Sequence, residues 1–194
     1  KTIYEITHSS DKGNSFSIVS SKKGAGKTEI SKRLFNKLKI KYKVCLLDLD
    51  YRKRGLTNEL RVEKNFKNYE EFQLERDKFK SDNDSLFIPW FDIDNPPDYF
   101  TSQEFIEMIN SLKEEFQYVI CDTPPWKLFV DAKIISKHID KHIYVVSNQS
   151  STFKDIELFK KDMEGNKDLT FFYNKFRLYF NFLWYRYQYP YYAS

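Results

Sequence analysis

The sequence predicts an α/β fold in three layers, a mainly parallel sheet flanked by helices on both faces. Three observations predict it. Short, nearly continuous apolar runs alternate with longer amphipathic stretches, the pattern of strands buried on both faces and joined by crossover helices. A glycine-containing turn joins the first apolar run to the first amphipathic stretch. Aspartates close two of the later apolar runs, at the carboxyl ends where open parallel sheets hold their ligands.

Taken in order, the apolar runs place strands over residues 16–20, 43–47, 86–90, 118–121, 142–146 and 169–173. Apolar residues three or four apart place helices over 27–39, 102–116, 130–138 and 153–163. In 102–116 the stripe is Phe105, Ile106, Ile109, Leu112 and Phe116. Thr101 or Ser102 is its candidate N-cap, with Glu104 as the capping-box partner of Thr101. The polar stretch 61–84 carries little periodicity and is expected to hold a helix and a loop. No internal repeat is visible.

At 194 residues the chain fits one domain, since domains run roughly 100–200 residues. Hydrophobic residues at 41% and charged residues at 31% favour a folded core over disorder. A net charge of +4, from 32 basic and 28 acidic side chains, is too balanced for a nucleic-acid surface. No apolar run approaches the roughly 18–20 residues of a membrane span, and no signal peptide is read. The chain opens at Lys1 without a methionine, which leaves room for an anchor upstream. Cys45 and Cys121 sit inside buried apolar runs; a disulfide between them is one reading, and reduced thiols of a cytoplasmic protein are the expected one. His8, His138 and His142 lack the spacing of a zinc site.

The first predicted strand runs into Ser20, then Ser21-Lys22-Lys23-Gly24-Ala25-Gly26-Lys27-Thr28 and a helix. This nearly matches G-x-x-x-x-G-K-[ST], with Ser21 in place of the first glycine. Gly24 and Gly26 let the backbone turn so tightly that successive N–H groups point inward at phosphate oxygens. Lys27 brings charge to the β- and γ-phosphates, and the Thr28 hydroxyl is a ligand for Mg²⁺. The helix N-terminus adds its partial positive charge. The residues expected to hold nucleotide are therefore Lys22, Lys23, Gly24, Ala25, Gly26, Lys27, Thr28 and the following Glu29.

A Mg²⁺–ATP site needs hard oxygen ligands beside that turn. Val44-Cys45-Leu46-Leu47 runs into Asp48-Leu49-Asp50, and Tyr118-Val119-Ile120-Cys121 ends at Asp122-Thr123-Pro124-Pro125. Both place carboxylates where a parallel strand meets its loop, so the acids are expected to converge on the turn. Helix capping, or pairing with Arg52 and Arg54, is the alternative use of these acids.

Together these motifs resemble those of the bacterial tyrosine kinases, a branch of the Min/Par-like P-loop ATPases associated with polysaccharide export. The resemblance covers most of the chain. The turn at 20–28 is similar to the family's deviant Walker A. Leu46-Leu47-Asp48-Leu49-Asp50-Tyr51-Arg52 resembles its second box, D-x-D-x-R, and Ile120-Cys121-Asp122-Thr123-Pro124-Pro125 its Walker B. Asn95-Pro96-Pro97-Asp98 resembles the family stretch that leads into a helix, and Asn174 stands where Min/Par-like relatives contact adenine. Tyr185, Tyr187, Tyr189, Tyr191 and Tyr192 fall in the last ten residues, a density far above that of 14 tyrosines in 194. Family members carry such a cluster and phosphorylate it, usually on a neighbouring subunit. Packing of this aromatic tail on the domain, or at a membrane interface, is the rival reading.

The resemblance implies a P-loop kinase domain over 1–178 and a tyrosine-rich tail over 179–194. It implies ATP and Mg²⁺, with Lys27, Asp48, Asp50 and Asp122 catalytic and Thr28, Asp50 and Asp122 on the metal. It also implies homo-oligomers of ring type, a membrane chain-length determinant as partner or fused upstream, and a cytoplasmic place at the inner face of the bacterial membrane. The chain departs from the family at three points. An E-x-x-R-x-x-R helix is absent before the turn, Lys23 replaces proline or glycine, and Arg54 replaces the proline that commonly ends the second box. Lys22 reads equally as the signature lysine of the deviant turn and as solvated charge. A dimerisation-switch ATPase and a catalytically decayed nucleotide-binding module for polysaccharide export are the rival functions; no C-x-x-C supports an iron–sulfur carrier.

Overall fold

The computed structural model describes residues 15–147, 151–162 and 168–175. The tail over 179–194, with Tyr185, Tyr187, Tyr189, Tyr191 and Tyr192, lies outside the described residues, as does the stretch before Ser15. Among the described residues the strands are β1 (Ser15–Val19), β2 (Val44–Asp48), β3 (Lys80–Ser81), β4 (Ser85–Ile88), β5 (Tyr118–Asp122), β6 (Lys141–Ser147) and β7 (Asp168–Asn174). The α-helices are α1 (Lys27–Leu38), α2 (Gly55–Glu59), α3 (Tyr69–Gln73), α4 (Pro96–Thr101), α5 (Gln103–Glu115), α6 (Val130–Ser136) and α7 (Phe153–Asp162).

The strands form one sheet in the order β3-β4-β2-β5-β1-β6-β7. Every pairing is parallel except that of β3 with β4. Alternate residues of each strand face opposite sides, and each side finds its own helices. Phe16, Ile18, Val44, Leu46 and Ile120 pack against Ile30, Leu34, Phe35 and Leu38 of α1. Cys45, Leu47, Val119 and Cys121 face Phe105, Met108, Ile109 and Leu112 of α5, and Ile135 of α6. Val19, Tyr144 and Val146 meet Phe159 of α7 and Trp126. The three-layer expectation holds, and both cysteines are buried and free.

Local chemistry explains the helix ends. Ser102 caps α5, its hydroxyl accepting from the Phe105 N–H at 3.2 Å. The Thr101–Glu104 box does not form, because Thr101 ends α4 and donates its hydroxyl to the Asp98 carbonyl. Pro96 and Pro97 open α4, where a missing N–H leaves no helical bond unmade. The stretch 61–84 holds α3, capped by Asn68, two 3₁₀ turns (Arg76–Phe79 and Asp82–Asp84) and the two-residue β3.

The strand order positions the site. β5 lies between β1 and β2 in register, so that Ile18 and Asp48 both pair with Asp122. The ends of three strands that lie far apart in sequence therefore meet, on the side of the sheet that α1 covers.

Candidate nucleotide site

Between β1 and α1 the chain turns through two left-handed glycines, Gly24 at φ 80° and Gly26 at φ 97°. Gly26 is also the N-cap of α1, and with no side chain it leaves the first-turn N–H groups uncapped. Their free donors and the helix dipole both suit an anion. A Cβ on Gly24 would meet nothing within 4 Å, whereas one on Gly26 would lie 2.2 Å from Asn174 Nδ2.

Lys27 opens α1 and is buried at 8% exposure. Its Nζ lies 3.3 Å from Ser20 Oγ and donates to it. Burial pulls its pKa below the ordinary value, while the charges of Asp122 and Asp50 act against that pull. One residue on, Thr28 Oγ1 donates to Asp122 Oδ2 at 2.8 Å across 94 residues of sequence. Ser31, a turn later on the same helix face, reaches Asp122 Oδ1 at 3.1 Å and shares its proton with the Lys27 carbonyl. Each oxygen of Asp122 thus has one hydroxyl partner from α1.

The second acid pair divides its work. Asp48 Oδ2 accepts from the Thr57 N–H at 2.9 Å and from Thr57 Oγ1 at 2.8 Å, and Oδ1 accepts from the Asp50 N–H at 3.3 Å. Asp50 Oδ1 accepts from the Lys53 N–H at 3.2 Å. Burial raises the Asp48 carboxyl to about 6 against the pull of the Thr57 bonds, and it also raises Asp50. Burial, reinforced by the charge on Asp48, raises Asp122 to about 7. Asp50 and Asp122 face the buried Lys27 and Asp48 acts on Asp122, an excess of carboxyl groups over ammonium that a bound cation would relieve. Among the described residues no three His, Cys, Asp or Glu side chains form a metal cage of their own. Mg²⁺ needs none, since it keeps waters and takes phosphate oxygens beside one or two carboxylates. The donor set of Thr28, Asp50 and Asp122 fits that habit.

The structure brings Gly24, Gly26, Lys27, Thr28, Asp48, Asp50 and Asp122 together, as the sequence led us to expect. Lys22 and Lys23 are exposed at the outer edge of the turn, Lys23 lying over the Phe129 ring, and Ala25 is buried beneath it. Glu29 does not join the acids; Arg33 and Lys32 hold it on the outer face of α1. Arg52 pairs with the buried Asp131 at the start of α6, not with Asp48 or Asp50, and Arg54 stacks on Trp90. Asn174 donates to the Ala25 carbonyl at 2.8 Å, and Lys175 to that of Gly24 at 2.8 Å. Ser31 and Thr57 were not anticipated. Helical spacing from Thr28 is the signal that would have found Ser31, whereas nothing in the sequence marks Thr57.

Gly26→Ala is expected to destabilise the protein by roughly 2–3 kcal/mol. About 1–2 of this comes from the left-handed conformation, the rest from displacing the Asn174 bond. In a double-mutant cycle by urea unfolding, Asn174→Ala should then lose less in the Gly26→Ala background than in the wild type. Additive losses would place Asn174 off the turn.

No family model matches the chain. Tyrosine-protein kinase CpsD of Streptococcus pneumoniae is 28% identical over 167 residues, 82% of this chain and 74% of its own. The kinase domain of the Escherichia coli tyrosine kinase ETK superposes with a TM-score of 0.73 at 20% identity, over 93% of this chain and 73% of that one. A plasmid partition protein from Borrelia burgdorferi shares the fold with a TM-score of 0.63 at 22% identity, over 90% and 86% of the two chains.

Proposed function

We propose that this chain, a relative of the bacterial tyrosine kinases within the wider P-loop fold they share with partition proteins, transfers the γ-phosphate of ATP to tyrosine. The observation that carries the reading is the convergence of Lys27, Asp48, Asp50 and Asp122 on the uncapped start of α1, tied by the Thr28–Asp122 bond. The loop amides and Lys27 would clamp the phosphates. Mg²⁺ held by Thr28, Asp50 and Asp122 would neutralise the phosphate charge.

A tyrosine hydroxyl has a pKa near 10, so roughly one in a thousand is ionised at pH 7 and an acceptor must take its proton. Asp48 would take it as the phenol oxygen bonds to the γ-phosphorus and the bond to the β-phosphate oxygen breaks, leaving ADP. The acceptors would be Tyr185, Tyr187, Tyr189, Tyr191 and Tyr192 of another copy. The 21 residues from Asn174 onward span about 70 Å when extended, so reach is no obstacle. Phosphorylation would add several negative charges to the tail and loosen contacts between copies. Such a cycle would serve a membrane chain-length determinant at the inner face of the bacterial membrane, in capsule or exopolysaccharide synthesis and export. No helix among the described residues is long and apolar enough to cross a membrane.

The test is incubation with ATP and Mg²⁺ followed by detection of phosphotyrosine and of free phosphate. Phenylalanine at all five tail positions is expected to remove the phosphotyrosine signal at least tenfold, while nucleotide affinity stays unchanged. Full signal on the five-fold variant would move the acceptors elsewhere. Free phosphate without phosphotyrosine would make the chain an ATPase switch of the partition type, and binding without turnover a decayed module.

A further inference from the structure

The Asp48 carboxylate is held unevenly. Both bonds to Oδ2 come from Thr57, one from its N–H and one from its hydroxyl, while Oδ1 carries only the longer bond from the Asp50 N–H among the described residues. The Thr57 hydroxyl is itself locked, because it accepts from the Trp90 N–H at 3.1 Å. With its lone pair turned toward Trp90, its proton is directed at Asp48. Trp90 follows β4 and is buried, and the Arg54 guanidinium lies over its ring at 3.4 Å. Thr57 is buried too, and its β-branched side chain restricts χ1.

These bonds close the loop that carries Asp50. Asp48 ends β2, Thr57 lies in α2, and joining them fixes the nine-residue separation between them. The closure also brings Gly55 against Thr28, where a Cβ on Gly55 would stand 3.3 Å from Thr28 Oγ1. The Thr57 N–H bond closes the loop without the hydroxyl, so a change confined to the hydroxyl is felt at Asp48 and leaves the loop beside α1 in place.

We propose that Thr57 is a positioning residue, which commits Asp48 Oδ2 to the scaffold and leaves Oδ1 as the oxygen that meets the acceptor phenol. The inference rests on the reading of Asp48 as the proton acceptor. Thr57 would touch neither nucleotide nor tyrosine, so it would act on turnover and leave the binding of ATP alone.

The experiment measures autophosphorylation by the full chain at several Mg–ATP concentrations, giving kcat and the KM for ATP. Thr57→Val, near in shape but without the hydroxyl, is expected to lower kcat about tenfold or more with KM within twofold, an effect in the range of lost preorganised hydrogen bonds. Thr57→Ser, which keeps the hydroxyl, is expected to stay within about threefold of the wild type. Thr57→Ala repeats the test without crowding if the valine variant does not fold, with circular dichroism confirming the fold of each. A folded valine or alanine variant at the wild-type rate overturns the proposal. So does a serine variant as slow as valine, or a KM that rises as kcat falls. Asp48→Asn separates the two levels of argument. If it keeps the wild-type rate, the reading of Asp48 itself fails; if it is inactive while the Thr57 variants are fast, only the positioning role fails.

Discussion

Lys27→Met is expected to lower phosphotyrosine formation by on the order of 100- to 1,000-fold, with the fold intact. Lys27 is the buried cation facing Asp122 and Asp50, placed where the proposed phosphates sit. Removing one preorganised charge from a water-poor site costs catalysis about that much. Methionine keeps the length and the apolar stem, so packing against the turn survives. The acids that lose their cation can take up protons, which limits the damage to stability. Thermal unfolding should therefore shift by only a few degrees.

Arginine is not expected to rescue this position. A lysine ammonium is a compact point charge, whereas guanidinium is a wide planar fork, and Lys27 has only 8% of its surface free. Phosphotyrosine blots and equilibrium binding of a fluorescent ATP analogue check both variants. Wild-type phosphotyrosine from a folded Lys27→Met protein would remove the phosphate turn from the reaction altogether.

The sequence was read most surely where a residue ends a regular pattern. Asp48 and Asp122 were legible because each stops an apolar run, and parallel pairing then places them side by side as Cα partners. The four longer helices and six of the strands carried their own periodicity and lie within a few residues of expectation. β3 has two residues, and α2, α3 and α4 five or six, too few for any period to register. Thr57 escaped for a related reason: it lies in one of those short helices, and a reversing loop alone makes it the partner of Asp48. The Asn174–Ala25 bond depends on β7 pairing with β6 and β6 with β1, a chain of registers that no local pattern encodes.

Asp122→Asn is expected to raise stability while it abolishes turnover, and the pH dependence identifies the cause. The Asp122 carboxyl is raised to about 7 by burial first and by the charge of Asp48 second. An unfolded chain would ionise it near 3.9. Between those values the folded state holds the proton that the unfolded state releases, so stability falls as pH rises from about 4 to about 7. Above pH 7 the full penalty is present; below pH 4 none of it is. The asparagine cannot ionise and escapes the penalty, yet its amide can still bond to the hydroxyls of Thr28 and Ser31. In nucleotide- and Mg²⁺-free protein, urea unfolding at pH 8 should find the variant more stable by about 2–4 kcal/mol, with the gap closing toward pH 4.5. Adding ATP and Mg²⁺ should reverse the order, since the wild type would regain through bound cation what it lost to burial and repulsion, and the variant would not. Equal stability of the two proteins at pH 8 would mean that Asp122 stays comfortable as an anion beside Lys27. The excess of negative charge that argues for a cation at this site would then be gone.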